Sequence, residues 1–203
     1  RHTVKELKNY RQTVLLLAAR LVYNDGLVTI FAFGGIYAAG TFGFTFNEIM
    51  LFGIVLNVCA GAGAMIMGIL DDKIGGKKTI QISNIALALA SFMAMAAPDK
   101  AWFWAAGILV GLFAGPNQSA SRSLLARFVP ENKTSQFFGF FAFSGKLTAF
   151  AGPMLLGLFT EIFSSQRAGI GVVVLFFIIG ALILQRVDEQ AGIRAAAIRT
   201  DHF

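Results

Sequence analysis

Charge is what this chain has least of: 14% of its 203 residues are Asp, Glu, Lys or Arg, against about 25% in an ordinary soluble domain. Apolar residues make up 56% and the mean hydropathy is +0.69, so the sequence cannot build a water-facing surface of the usual kind. A single cysteine, Cys59, rules out a disulfide framework and a thiolate metal site. The two histidines, His2 and His202, lie in the tails. No HExxH, Walker, GxSxG or paired-cysteine pattern occurs, so neither metal, cofactor nor hydrolytic chemistry is expected. An enzyme is not the expectation.

The few charges are unevenly spread. Residues 49–70, 79–98, 101–121 and 168–185 contain no charged side chain at all, and each run is about long enough to cross a ~30 Å hydrocarbon core as a helix. Two more stretches, 13–39 and 137–161, are equally long but carry charges inside. A soluble bundle would need a polar stripe on each helix, and the uncharged runs have none. The expected fold is an all-α polytopic membrane protein with six transmembrane helices at about 13–39, 49–70, 79–98, 101–122, 137–161 and 168–186. Phe (21) and Gly (22) suit lipid contact and close helix approach. Gly107, Gly111 and Gly115 form one small-residue ridge, and Ala60, Ala64 and Gly68 form another.

Basic residues alternate between crowded and nearly empty loops. One side of the membrane collects thirteen of the fifteen loop and tail Lys and Arg residues; the other holds Lys100 and Arg167. The positive-inside rule then makes both ends cytoplasmic, in a plasma or inner membrane, which an even number of spans permits. The net charge of +6 follows this topology and does not point to nucleic acid. Residues 1–12 are expected to be a cytoplasmic segment of a longer protein, 13–187 the membrane domain, and 188–203 a cytoplasmic tail with a short helix at 194–199.

The segment 68–80, GILDDKIGGKKTI, is the strongest single motif. Asp72 stands near the end of the second span, where it could pair with Lys73 or Lys77 or cap a neighbouring helix. Gly75 and Gly76 permit the tight reversal between two long helices. Through Gly68, Leu70, Asp72, Lys73, Gly75 and Lys77 this loop resembles the cytoplasmic signature of the major facilitator superfamily, with Gly76 where a basic residue is usual. The stretches 21–38 and 116–146 resemble the seventh and the tenth-to-eleventh helices of its vacuole-effluxer (UMF) branch. The resemblance implies a C-terminal half built as two inverted three-helix repeats. Its partners would be the N-terminal half, membrane lipid and a small polar solute, with amino acid export as the branch's associated activity.

Charges inside a membrane cost about 2.5–3.5 kcal/mol each even on lenient insertion scales, so they read as functional. At ~1.5 Å rise per residue, Asp25 lies about 18 Å deep, Arg20 about 11 Å and Lys146 about 14 Å. Arg20 and Asn24 share a helix face, whereas Arg20 and Asp25 do not and should not pair. Arg20, Asn24, Asp25 and Lys146 are therefore the expected substrate or proton pathway, with a packing ion pair between Asp25 and Lys146 as the alternative. Pro116 should kink its helix and free the carbonyl of Leu112. The polar run after it, with Asn117, Gln118, Ser121 and Arg122, is the expected cytoplasmic gate. A secondary transporter is thus expected; a non-transporting scaffold or receptor, or a channel, would use the same charges differently.

Overall fold

The computed structural model describes residues 10–130, 133–147 and 149–200, and these form eight helices with no strand among them. They are α1 (Arg11–Phe42), α2 (Phe46–Ile74), α3 (Gly76–Ala96), α4 (Lys100–Phe128), α5 (Thr134–Leu147), α6 (Ala151–Ile162), α7 (Gln166–Gln185) and α8 (Glu189–Thr200). The expected N-terminal segment 1–12 lies outside the described residues except for its last three, and so do residues 201–203 of the tail.

By length and composition α1, α2, α3, the α5–α6 stretch and α7 can cross a membrane. At 29 residues α4 also has ample length, although its polar run after Pro116 dilutes its apolar character. The protein is an all-α polytopic membrane protein. The fifth span, expected at 137–161, lies within a single stretch 134–162 long and apolar enough to cross, and within it α5 ends at Leu147 and α6 starts at Ala151. Pro153 explains the break, because it has no amide donor and is tolerated only in the first turn of a new helix, where it stands in α6. The tail helix starts at Glu189, earlier than the expected 194.

Local signals set the other ends. Thr45 and Glu48 form a reciprocal capping box on α2, and Asp99 accepts from Trp102 N at the start of α4. The chain leaves α1 through Gly43 at φ 66°, with Gly43 N bonded to Ala39 O and Phe44 N to Ala38 O, the left-handed closure that favours glycine. Gly75, at φ 91°, turns α2 directly into α3.

Packing follows a two-fold pattern. α3 and α2 lie on α4, α7 and the α5–α6 stretch lie on α1, and α3 meets α7. Exchanging α1–α3 with α4–α7 maps this pattern onto itself. Because α1 starts at the end where α4 finishes, the two repeats are inverted.

Backbone contact is closest between α2 and α4. A Cβ on Gly111 would lie 2.7 Å from Leu56 O, and one on Gly115 would overlap Ala60 O. The carbonyl of Leu112, freed by Pro116, faces Gly63 of α2 so closely that no side chain fits there. The glycine ridge of α4 thus packs as expected, but its counterpart on α2 runs through Leu56, Ala60 and Gly63. Gly68 faces open space. Tyr37, Phe42, Phe44, Phe52, Phe103 and Trp104 form an aromatic cluster at the end away from the basic residues. There Lys100 pairs with Glu48 at 3.0 Å, and Arg167 donates to the free carbonyls of Met95 and Ala97 at the end of α3.

Gly115→Ala is expected to destabilise the purified protein by about 1–3 kcal/mol through overpacking against α2. Gly61→Ala, which meets open space, should stay within about 0.5 kcal/mol of the parent. Thermal unfolding in detergent measures both.

Candidate functional site

The expected pathway residues lie on α1 where it passes the break between α5 and α6. Arg20 is 8% exposed and donates through Nη1 to the carbonyl of Phe141 (3.0 Å) and to Ser144 Oγ (3.3 Å), with its guanidinium 3.5 Å over the Phe141 ring. It therefore places a cation on the last turns of α5, where the helix dipole is negative. Five residues on, Asp25 is 1% exposed and accepts from Gly152 N at 2.8 Å in the first turn of α6, where the dipole is positive. Thr29 Oγ1 donates to the Asp25 carbonyl at 2.7 Å and lies against Gly152, leaving no room there for a side chain. Asn24 is buried beside Gly145. α1 thus meets both halves of an interrupted helix through different faces.

Arg20 and Asp25 go to different partners, and Asp25 makes no ion pair with Lys146, whose side chain is exposed. The packing pair between Asp25 and Lys146 is replaced by a carboxylate on a helix N-terminus. Asp25 Oδ1 has no hydrogen-bond partner among the described residues. The signal for this arrangement was Gly152-Pro153 in the middle of an apolar run, a pairing that marks a helix restart.

The residues expected to form a gate are divided. Asn117 and Ser121 are buried in helix contacts, Gln118 is half-buried, and Arg122 is exposed, so Ser121 and Arg122 do not act as one face. Ser121 Oγ donates to the Asn117 carbonyl at 2.5 Å, which uses its single hydrogen; the Tyr23 hydroxyl, 2.7 Å away, must then donate to Ser121. Asn117 Nδ2 donates to Asn84 Oδ1 of α3 at 2.8 Å. A buried polar chain therefore joins α1, α4 and α3 beside Pro116. Tyr23 and Asn84 were not apparent from sequence, because an isolated polar residue in an apolar run shows no partner.

At the basic end the clasp centres on Asp71 and not on Asp72. Asp71 is 6% exposed and accepts from Arg127 Nη2 of α4 at 3.1 Å, whereas Asp72 is largely exposed and 3.7 Å from the same atom. Glu189, from the tail helix, caps α3 by accepting from Gly76 N (3.0 Å) and Lys77 N (3.1 Å), and lies 3.8 Å from Arg127 Nη1. Lys77 Nζ donates to Gln185 O, while Lys73 is exposed. Gly68 takes no part. The reason is helical phase: Asp71, one residue before Asp72, faces α4. Among the described residues no three His, Cys, Asp or Glu side chains come together as a metal would require.

A profile of the family described as "Vacuole effluxer Atg22 like" matches residues 1–197. The chain belongs to that family. It is 27% identical over 190 residues to the uncharacterized MFS-type transporter YxiO of Bacillus subtilis, covering 94% of this chain and 44% of that protein. Autophagy-related protein 22 of Cryptococcus neoformans is 23% identical over 95% of this chain and 38% of its own length, and that of Kluyveromyces lactis 24% over 96% and 42%. The chain therefore spans about two fifths of the length of these curated relatives.

Asp71→Asn and Arg127→Met are expected to loosen α8, raising amide exchange over Glu189–Thr200 about tenfold or more, whereas Asp72→Asn should leave it within about twofold. Hydrogen exchange with mass spectrometry reads this directly.

Proposed function

We propose that this chain is the C-terminal half of a secondary active transporter that moves a small polar solute, an amino acid being the class suggested by the family, in exchange for proton movement. The observation that carries this reading is the clamp of Arg20 and Asp25 on an interrupted helix at membrane depth. Transporter sites are built where helices break near the midplane and half-helix ends face ions or substrate. Asp25 caps α6 with one oxygen, and its other oxygen is buried without a hydrogen-bond partner among the described residues.

Asp25 is the coupling group in this scheme. As a carboxylate it complements the positive end of α6 and accepts from Gly152 N. Protonation removes that charge and weakens the cap, so the position of α6 and the proton occupancy of Asp25 are linked. Arg20 stays on α5 and keeps one half of the break in place while the other moves. Lys146, exposed beside the break, is available to a solute carboxylate. The basic end, with the clasp, is the cytoplasmic side by the positive-inside rule.

Asp25→Asn is expected to abolish solute accumulation driven by a pH gradient in proteoliposomes holding the full-length protein, while exchange of solute across the membrane persists. Parental accumulation by the variant would assign Asp25 to packing and favour a scaffold. Flux that fails to saturate would instead indicate a channel. For orientation, a cysteine introduced at Lys133 should react with a membrane-impermeant maleimide only after the cell membrane is opened; labelling in intact cells would reverse the topology.

A further inference from the structure

Among the described residues one acidic side chain meets neither a hydrogen-bond donor nor a cation. Asp25, Asp99, Asp188 and Glu189 cap helices, Glu48 pairs with Lys100, and Asp71 and Asp72 meet Arg127. Glu161 has neither a hydrogen bond nor an ion pair through its carboxylate among the described residues. It also stands in the last turn of α6, where a negative side chain opposes the helix dipole and costs stability. Its side chain is exposed at the end of the bundle, so the carboxylate is open to a partner from outside the chain.

Glu161 lines a cavity of about 250 Å³ between α1, α6 and α7, at the end away from the basic residues. Phe33, Ile36 and Tyr37 of α1 form an apolar and aromatic wall, and Thr160 and Gln166 add polar groups. Thr160 Oγ1 is buried without a partner. The nearest cation in sequence, Arg167, is directed at the carbonyls of Met95 and Ala97 and does not neutralise Glu161. The turn that presents the site is well tied: Phe163 N bonds Phe159 O, Ser164 N bonds Glu161 O and Ser165 N bonds Thr160 O, with Ser164 held at φ 48°. Gln166 is fixed by Thr41, whose hydroxyl donates to Oε1 at 2.9 Å.

We infer that this cavity is a binding site for the ammonium group of a small solute with an apolar body, with Glu161 as its counter-ion. An anionic wall admits a cation and repels a carboxylate or phosphate, while the aromatic wall suits the alkyl portion and favours a cation near its face. The site lies at the other end of the bundle from the clasp, so in the transport scheme proposed above it would receive amine-bearing solutes at the non-cytoplasmic face. The inference of binding does not itself require that scheme.

The test is isothermal titration calorimetry of n-butylammonium into the full-length protein in detergent at neutral pH, without any gradient. Saturable binding is expected, weakened about tenfold or more by Glu161→Gln, because the charge-assisted contact is lost. Ile36→Trp, which fills the cavity but keeps the acid, should also abolish binding, and thermal unfolding checks that both variants are folded. Gly61→Ala, remote from both sites, should bind as the parent does, and because binding is read without a gradient, failure of the coupling scheme and failure of this site are separate results. Equal affinity in the parent and Glu161→Gln, affinity for 1-butanol matching that for butylammonium, or parental binding by Ile36→Trp would each overturn the site.

Discussion

A helix that breaks inside a membrane leaves backbone groups that lipid cannot satisfy, and the arrangement of this protein follows from how α1 meets the two halves of that break. Such groups cost several kcal/mol when unpaired in hydrocarbon. Asp25 accepts from Gly152 N at the amide end of α6, while Arg20 donates to the carbonyl of Phe141 and to Ser144 in the second half of α5, each with the sign of charge that its half-helix favours. The two buried charges are tolerable because they neutralise dipoles in place of each other. Their separation by five residues directs them to different partners along the same broken helix.

This gives α1 a central place in the architecture. It contacts α7 through close approaches at Gly26 and Gly180, the broken helix through its charges, and α4 through the Tyr23–Ser121 bond. In the inverted repeat α4 has the equivalent place, packed by its glycine ridge on α2 and along α3. The perturbations in the two central helices differ in kind. In α4 a proline inside the helix frees a carbonyl that a glycine of α2 accommodates; on the α1 side the proline lies in the neighbouring helix and the break needs ionised partners.

The two ends of the bundle are finished by different means. At the basic end Arg127 joins the α2–α3 turn to the tail helix, so that Asp71 and Glu189 share one guanidinium. At the other end the two isolated basic residues, Lys100 and Arg167, serve a carboxylate and the open carbonyls of α3 above an aromatic cluster. Neither is left over, which is why the unpaired Glu161 stands apart there.

Sequence alone determined the class of fold, because a charge-free run near 20 residues has few other uses and composition needs no knowledge of neighbours. It also marked Arg20 and Asp25 as costly, and separated their helix faces. What each charge meets was decided only by tertiary structure, since partners come from residues more than a hundred positions away, such as Phe141 and Gly152. Asp71 in place of Asp72, and Glu189 from a tail of no evident role, depend likewise on helical phase and docking. A linear pattern records what a side chain costs in a membrane; the packed helices decide what offsets that cost.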